Sequence, residues 1–93
     1  MAIDLRREED RIRQLATAAM LQCESDAANA WALLAIDAIG HADRAVQAKT
    51  ACTYLEVGML AMDEGRRVEP VWRETVDAYV DLVARWRHEM EAE

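Results

Sequence analysis

Apolar residues recur at helical spacing along almost the whole chain, and breaks in that spacing divide it into helices. Residues 3–24 predict a first helix whose opening turns are polar and solvated. Its later turns carry an apolar row at intervals of three and four, made of Ile12, Leu15, Ala16, Ala19, Met20 and Cys23. Ser25 or Asp26 is suited to cap the next helix, because its side-chain oxygen can accept the free backbone N–H groups of a first turn.

The second helix is apolar on nearly every side. In residues 27–39 only Asn29 and Asp37 are polar, so this segment should be covered over most of its surface. Small and apolar residues keep the helical interval on both sides of Gly40, which favours one long helix over residues 26–64. The alternative is a break at that glycine, in the segment IGHAD, which divides the long helix and gives four helices in all.

The clearest stop signal in the chain precedes the last helix. Gly65 is suited to a left-handed cap and Pro70 to the first turn of a new helix, which runs to about residue 91. The apolar residues of this helix alternate at intervals of three and four, as in a helix that packs along another. They are Trp72, Val76, Tyr79, Val83, Trp86 and Met90.

These elements predict an all-α fold in a single domain, residues 1–93, made of three long antiparallel helices, or of four if the chain breaks at Gly40. With 53% hydrophobic residues but only three glycines and one proline, the chain has ample apolar material and little turn chemistry. A helix over residues 26–64 would be about 58 Å long, and two flanking helices would cover it on one side only. We therefore expect a helical bundle completed by homodimerisation, whereas four helices can also close into a monomer.

The chain is acidic, with a formal net charge of −7 from 18 acidic and 11 basic residues. Such a charge repels phosphate backbones and anionic lipid, so we expect neither direct nucleic-acid binding nor a membrane partner. The N-terminal segment is charged from Asp4 onwards and no run of 18 apolar residues occurs, which favours a cytoplasmic location and reduced cysteines. Ten arginines against one lysine indicate a bacterial or phage origin.

No catalytic, cofactor-binding or metal-binding motif is recognisable, so we expect a protein that is not an enzyme and uses no cofactor. Asp37 and His41, one helical turn apart, are expected to share a hydrogen bond. Glu74 and Asp77 resemble the Glu-x-x-Asp half of the motif of all-helical nucleoside triphosphate pyrophosphatases, in which carboxylates on facing helices hold Mg²⁺. The other half, Glu-Glu-x-x-Glu on an earlier helix, is missing, since Ile12 takes the place of its last glutamate.

Abundant amphipathic helix without catalytic motifs predicts a small regulatory protein that acts by protein–protein binding, as an inhibitor, anti-activator or adaptor of a larger bacterial protein. The residues expected at the partner or dimer interface are Trp31, Leu55, Met59, Leu60, Met62, Trp72, Tyr79 and Trp86. The last three can equally form the core of the protomer. Two alternatives stay open: an acidic mimic of nucleic acid that inhibits a DNA- or RNA-binding enzyme, as in phage, and a Mg²⁺-dependent nucleotide pyrophosphatase.

Overall fold

Four α-helices follow one another in the computed structural model, which describes residues 2–92. They are α1 (Leu5–Met20), α2 (Asp26–Arg44), α3 (Ala48–Val68) and α4 (Arg73–Ala92), and a short 3₁₀ turn over Pro70–Trp72 leads into α4. Each helix packs against the next and α4 returns to α1, so the four surround one core in a bundle of 42 × 18 × 17 Å. The all-α prediction is confirmed, with four helices in place of three.

The long helix expected over residues 26–64 is instead two helices, and the chain reverses between them at residues 45–47. Ala45 and Gln47 both have extended backbone, with ψ of 137° at each. α2 runs through Gly40 without interruption, so the alternative prediction of a break at that glycine is wrong in position. Its count of four helices is right. The reversal itself contains neither glycine nor proline, which is why the apolar spacing did not reveal it.

The reversal lets α2 and α3 lie side by side along a seam of small residues. A Cβ added at Gly58 would come within 2.9 Å of the Ala38 Cβ and would overlap the ring of Tyr79. A Cβ at Gly65 would lie 3.2 Å from the carbonyl oxygen of Ala28. Because the two helices approach so closely, each covers an apolar side of the other, which a single extended helix would leave in water.

The helix ends follow the sequence signals in part. The Ser25 hydroxyl accepts the backbone N–H of Ala28 at 3.2 Å, so the predicted cap of α2 is confirmed. Gly65 does not end α3: the described glycines all have negative φ, and the helix continues beyond it. The stop is set by Pro70, because the residue before a proline avoids helical geometry, and Glu69 is extended with φ of −134°.

Charged side chains join α1 to α4 at one end of the bundle. Arg85 donates from Nη1 to Glu8 at 2.7 Å and from Nε to Asp81 at 2.9 Å. Arg11, on α1 itself, lies 3.1 Å from the second oxygen of Glu8. The hydrogen bond from Arg85 is the main reason why the pKa of Glu8 lies below its ordinary value.

Gly58→Ala is expected to destabilise the fold, although alanine is the better helix former. The added methyl group would force apart Tyr79 and Ala38, and overpacking of this kind costs about 1–3 kcal/mol. Gly40→Ala is the matched control, because a Cβ there meets only ordinary contacts at 3.5 and 3.6 Å. The control is expected to gain up to about 1 kcal/mol. Urea titrations measure both free energies of unfolding, and equal effects would contradict the close contact at the seam.

Protonation of Glu8 is expected to weaken the folded state in acid. A carboxylate with a lowered folded pKa contributes stability above its unfolded pKa, near 4.5, and loses that contribution as pH falls through the folded pKa. The wild type should therefore be more stable than Glu8→Gln at neutral pH, and this difference in the free energy of unfolding should shrink as pH falls below about 5. Asp10→Asn, on the exposed side of α1, is the control. An equal pH-dependent difference for the control would contradict the role of the Arg85 contact.

Candidate protein-binding surface

The three aromatic residues spaced by seven at the end of the chain face the inside of the protomer. Trp72 and Tyr79 have no exposed surface and Trp86 keeps 5%. The Trp72 indole N–H donates to the sulfur of Cys23 at 3.3 Å, and the Tyr79 hydroxyl donates to the carbonyl of Ala35 at 2.8 Å. The Trp86 indole donates to a backbone carbonyl at the start of α3 at 3.0 Å. Burial raises the pKa of Tyr79, so its hydroxyl stays protonated and continues to donate.

The other residues expected at an interface divide between the core and the surface. Leu55 and Met62 have no exposed surface, so with the three aromatic residues they form part of the core of the single protomer. A side chain enclosed by its own chain offers no contact to a partner in this conformation. Met59 is half-buried, while Trp31 and Leu60 remain 40% and 63% exposed.

α2 is inverted with respect to residue size: it buries small residues and exposes large ones. Its buried side consists of five alanines and two isoleucines. Trp31, Leu33 and Leu34 lie on the outside instead, and Leu34 is 58% exposed. Fully burying a leucine contributes about 1.5–3 kcal/mol, far more than burying an alanine, so the monomer forgoes stability here. The signal for this surface in the sequence was the apolar character of α2 on every side.

α3 continues the exposed apolar surface beside α2. Val57 on this helix is 59% exposed, and the Tyr54 ring stacks against His41 of α2 with 5.3 Å between centroids. Near the other end of the hairpin, a Cβ at Gly65 would lie 3.6 Å from that of Trp31. The exposed large residues on this side of the two helices thus form one surface, named here the apolar face: Trp31, Leu34, Tyr54, Val57, Leu60 and Val68. Leu33 is also exposed but lies toward α1, in a pocket with Arg13 and Asp37.

The outer sides of α1 and α4 are polar by comparison. Among the described residues, α1 exposes no large apolar side chain and α4 exposes only Val80. Val80 is 45% exposed and stands beside Asp81, with Asp77 one turn before it. Within the helices, the exposed large apolar residues therefore lie mainly on α2 and α3. Two more, Leu21 and Val46, stand in the connecting turns at 85% and 101% exposure.

Charges of opposite sign lie at the two ends of α2, beside the apolar face. Glu24 and Asp26 are exposed at the start of α2, and His41 and Arg44 are exposed in its last turn. Within residues 2–92, Glu24, Asp26 and Arg44 have no ion-pair partner closer than 4 Å. The hydrogen bond expected between Asp37 and His41 is not formed there: His41 Nδ1 lies 3.3 Å from Arg44 Nη2, and its ring stacks on α3.

Both cysteines are free and buried. Cys23 accepts the indole N–H of Trp72, and the Cys52 thiol donates to Glu56 at 3.1 Å. Arg87 lies 3.1 Å from the same oxygen of Glu56. Burial, and then the hydrogen bond to Glu56, raise the pKa of the Cys52 thiol. A protonated and enclosed thiol is a poor nucleophile, so the geometry favours a packing role for this cysteine.

Other groups considered for chemistry do not come together. Glu74 and Asp77, which resemble half of a Mg²⁺ motif, lie exposed on α4, whereas Glu8 on α1 is engaged by Arg85. Within residues 2–92, no three side chains of the His, Cys, Asp or Glu type are grouped so that they could hold a metal ion. No helix in the described part of the chain combines the length and the apolar character needed to cross a bilayer.

Comparison of the chain with protein-family models, with curated proteins and with solved structures finds no match in any of the three.

Trp72→Ala and Trp31→Ala are expected to differ sharply in their effect on stability. Trp72 fills the core, and its removal leaves a cavity that costs about 3–5 kcal/mol, a large part of the stability of a small domain. Trp31 stands at the solvent boundary, so its removal should cost about 1 kcal/mol. Denaturant titrations followed by circular dichroism give both values. Equal losses would contradict the placement of one tryptophan in the core and the other on the apolar face.

Proposed function

We propose that this chain is a small regulatory protein that acts by binding other proteins through the apolar face, as an inhibitor, anti-activator or adaptor, without catalysis of its own. The observation that carries the proposal is the inverted α2, with alanines inside and Trp31, Leu33 and Leu34 outside. Protein cores normally take up the large apolar side chains. A helix that turns them outward, beside a second helix that does the same, is suited to contact with a partner.

The apolar face is large enough for a specific complex. Its six large side chains are each roughly half exposed and leave apolar surface on the order of 500 Å² in water. This matches the largest patches found on monomers, which are often functional. With neighbouring alanines and a polar rim it approaches the roughly 800 Å² that each partner contributes to a standard interface. Two parallel ridges of large residues also suit an amphipathic helix of a target, laid between α2 and α3.

Self-association belongs to the same proposal. A surface that buries apolar area against a target buries it equally well against its own copy, and two-fold pairing is the commonest symmetry of soluble oligomers. The homodimer is then the resting state of the protein, and a target replaces one copy. Dimer and target complex are alternative states of one face, and the relative affinities decide between them.

The arrangement of acidic residues supports binding by apolar contact over mimicry of a nucleic acid. Glu8, Glu9, Glu56 and Asp63 each hold an arginine at distances between 2.7 and 3.1 Å, so the negative charge is interrupted at these four positions. A mimic of nucleic acid needs an unbroken anionic surface, and its binding weakens steeply with salt. Contact through the apolar face should be nearly indifferent to salt.

The double variant Leu34→Gln with Val57→Gln is expected to lose the target. Tagged protein is used to capture partners from a lysate of the cells that encode it, and the captured proteins are identified by mass spectrometry. Loss of two central apolar contacts should lower capture by roughly tenfold or more. Val80→Gln is the matched control, because it removes a half-exposed valine from the polar side of the bundle.

Three outcomes would contradict the proposal. The first is a partner held equally well by the double variant, and the second is a partner lost equally with Val80→Gln. The third is capture that disappears between about 0.1 and 0.5 M salt, since screening over that range acts on charge pairs and leaves apolar contact intact.

A further inference from the structure

We infer that a second copy of this chain covers the apolar face in one defined arrangement, an antiparallel two-fold contact centred on Leu34 and Ala61. The inference rests on the proposed function, because it concerns the same face and names its resting occupant. The two-fold axis lies within the interface and is perpendicular to α2 and α3. Each α2 therefore packs on the α2 of the other copy, and each α3 packs on the other α3.

Leu34 and Ala61 lie at the same level of the hairpin formed by α2 and α3. The level is set by the seam, where a Cβ at Gly58 would come within 2.9 Å of that of Ala38. One turn along each antiparallel helix from this contact leads to Leu34 on α2 and to Ala61 on α3. Ala61 is half-buried and small, so two copies of α3 can approach closely at this point.

The large residues of the apolar face are distributed on both sides of this level. Val68 lies seven residues from Ala61 in one direction and Tyr54 seven residues in the other, about 10 Å each way along α3. An axis at Ala61 therefore brings Tyr54 of each copy over Val68 of the other. In an isologous contact, where both copies use the same surface, a residue i of one copy that meets residue j of the other implies that j of the first copy meets i of the second. Trp31 and Val57 lie on opposite sides of the same level and are also covered.

The charges select this arrangement over the other two-fold alternative. Glu24 and Asp26 lie at one end of α2, and His41 and Arg44 lie at the other. An axis parallel to the helices would instead place each α2 over the α3 of the other copy. His41 and Arg44 would then lie over the end of α3 that carries Lys49. Glu24 and Asp26 would lie over arginines that already hold Asp63 and Glu64. The perpendicular axis places the acidic end of one copy on the basic end of the other, at both ends of the interface. Charge complementarity of this kind fixes orientation and register.

Two charge pairs beside the face are already formed within each copy. Arg67 lies 3.6 Å from Glu64, and because Glu64 is one turn from Ala61 this neutral pair is covered together with Val68. Asp43 lies 3.9 Å from Arg6 at the basic end, at the rim, where side chains keep contact with water.

A second copy also supplies the area that a dimer needs. Because the contact is isologous, each copy covers the roughly 500 Å² of exposed large apolar side chains on the other. With the neighbouring alanines and the polar rim, the total reaches about 1,200 Å², where specific protein–protein interfaces begin.

Charge reversal tests the arrangement in the purified chain. At low salt, sedimentation equilibrium of the wild type is expected to give twice the 10.5 kDa mass of the chain. Asp26→Arg or Arg44→Asp alone places like charges together at both ends, so the dissociation constant of the dimer should rise roughly tenfold. An equimolar mixture of the two variants restores opposite charges at both ends of a heterodimer and should recover most of the wild-type affinity. Circular dichroism verifies that each variant is folded.

Leu34→Glu gives an independent test at the axis, because two copies of the new carboxylate would meet there. We expect a folded monomer. The arrangement is overturned by a wild type that stays at 10.5 kDa at the highest soluble concentration. It is equally overturned by a mixture of charge variants that pairs no better than either alone, or by a dimer that survives Leu34→Glu.

The same measurements separate this inference from the proposed function, since no target is present in them. A monomeric wild type that still captures its target through Leu34 and Val57 refutes the dimer and leaves the function intact. A dimer with the expected charge dependence that captures nothing refutes the function alone.

Discussion

The close contact of α2 and α3 across Ala38 and Gly58 is the constraint on which the rest of the structure depends. It brings the two backbones so near that the seam has room only for alanine and glycine, as the contacts at Gly58 and Gly65 show. It also leaves a space over the seam that the ring of Tyr79 fills from α4, with its hydroxyl on the carbonyl of Ala35. A helix whose inner side is restricted to small residues must carry its large apolar residues elsewhere.

The division between core and surface follows from this restriction. The large buried side chains come mainly from the other three helices and the turn before α4, among them Ile12, Leu55, Met62, Trp72 and Leu82. α2 contributes five alanines and two isoleucines to the core and presents Trp31, Leu33 and Leu34 to solvent. Folding and binding can therefore depend on different residues of the same chain. The indole of Trp72 is committed to the core, whereas that of Trp31 lies on the face proposed for partners.

Most of the fold follows from the sequence, and the exceptions have a common physical origin. Helical spacing identified the first and last helices and the alternating row of α4 as a packing seam, and capping chemistry identified Ser25. Spacing failed at residues 45–47, where the chain reverses without glycine or proline, because the reversal is stabilised by contacts between consecutive helices, such as that of Ala38 with Gly58, which local spacing does not encode. The same holds for the surface. The apolar character of α2 on all sides indicated a face that needs cover, but polarity alone does not show which side turns inward. That choice depends on residue volume at the seam, so Leu34 and Val57 were not among the residues expected at the interface, whereas the buried Leu55 was.

A face shared by two occupants places limits on how strongly either can bind. In the proposed scheme a target meets only the fraction of protein whose face is free, so its apparent affinity falls in proportion to that fraction. The apolar side chains supply most of the binding free energy for both occupants, whereas exposed charge pairs contribute about 0.2–1 kcal/mol each. The acidic start and basic end of α2 therefore determine orientation more than strength. A target helix with an apolar stripe between a basic and an acidic end would place opposite charges on the two ends of α2, as the second copy does. Such a helix would displace the second copy by packing more closely against Leu34 and Val57.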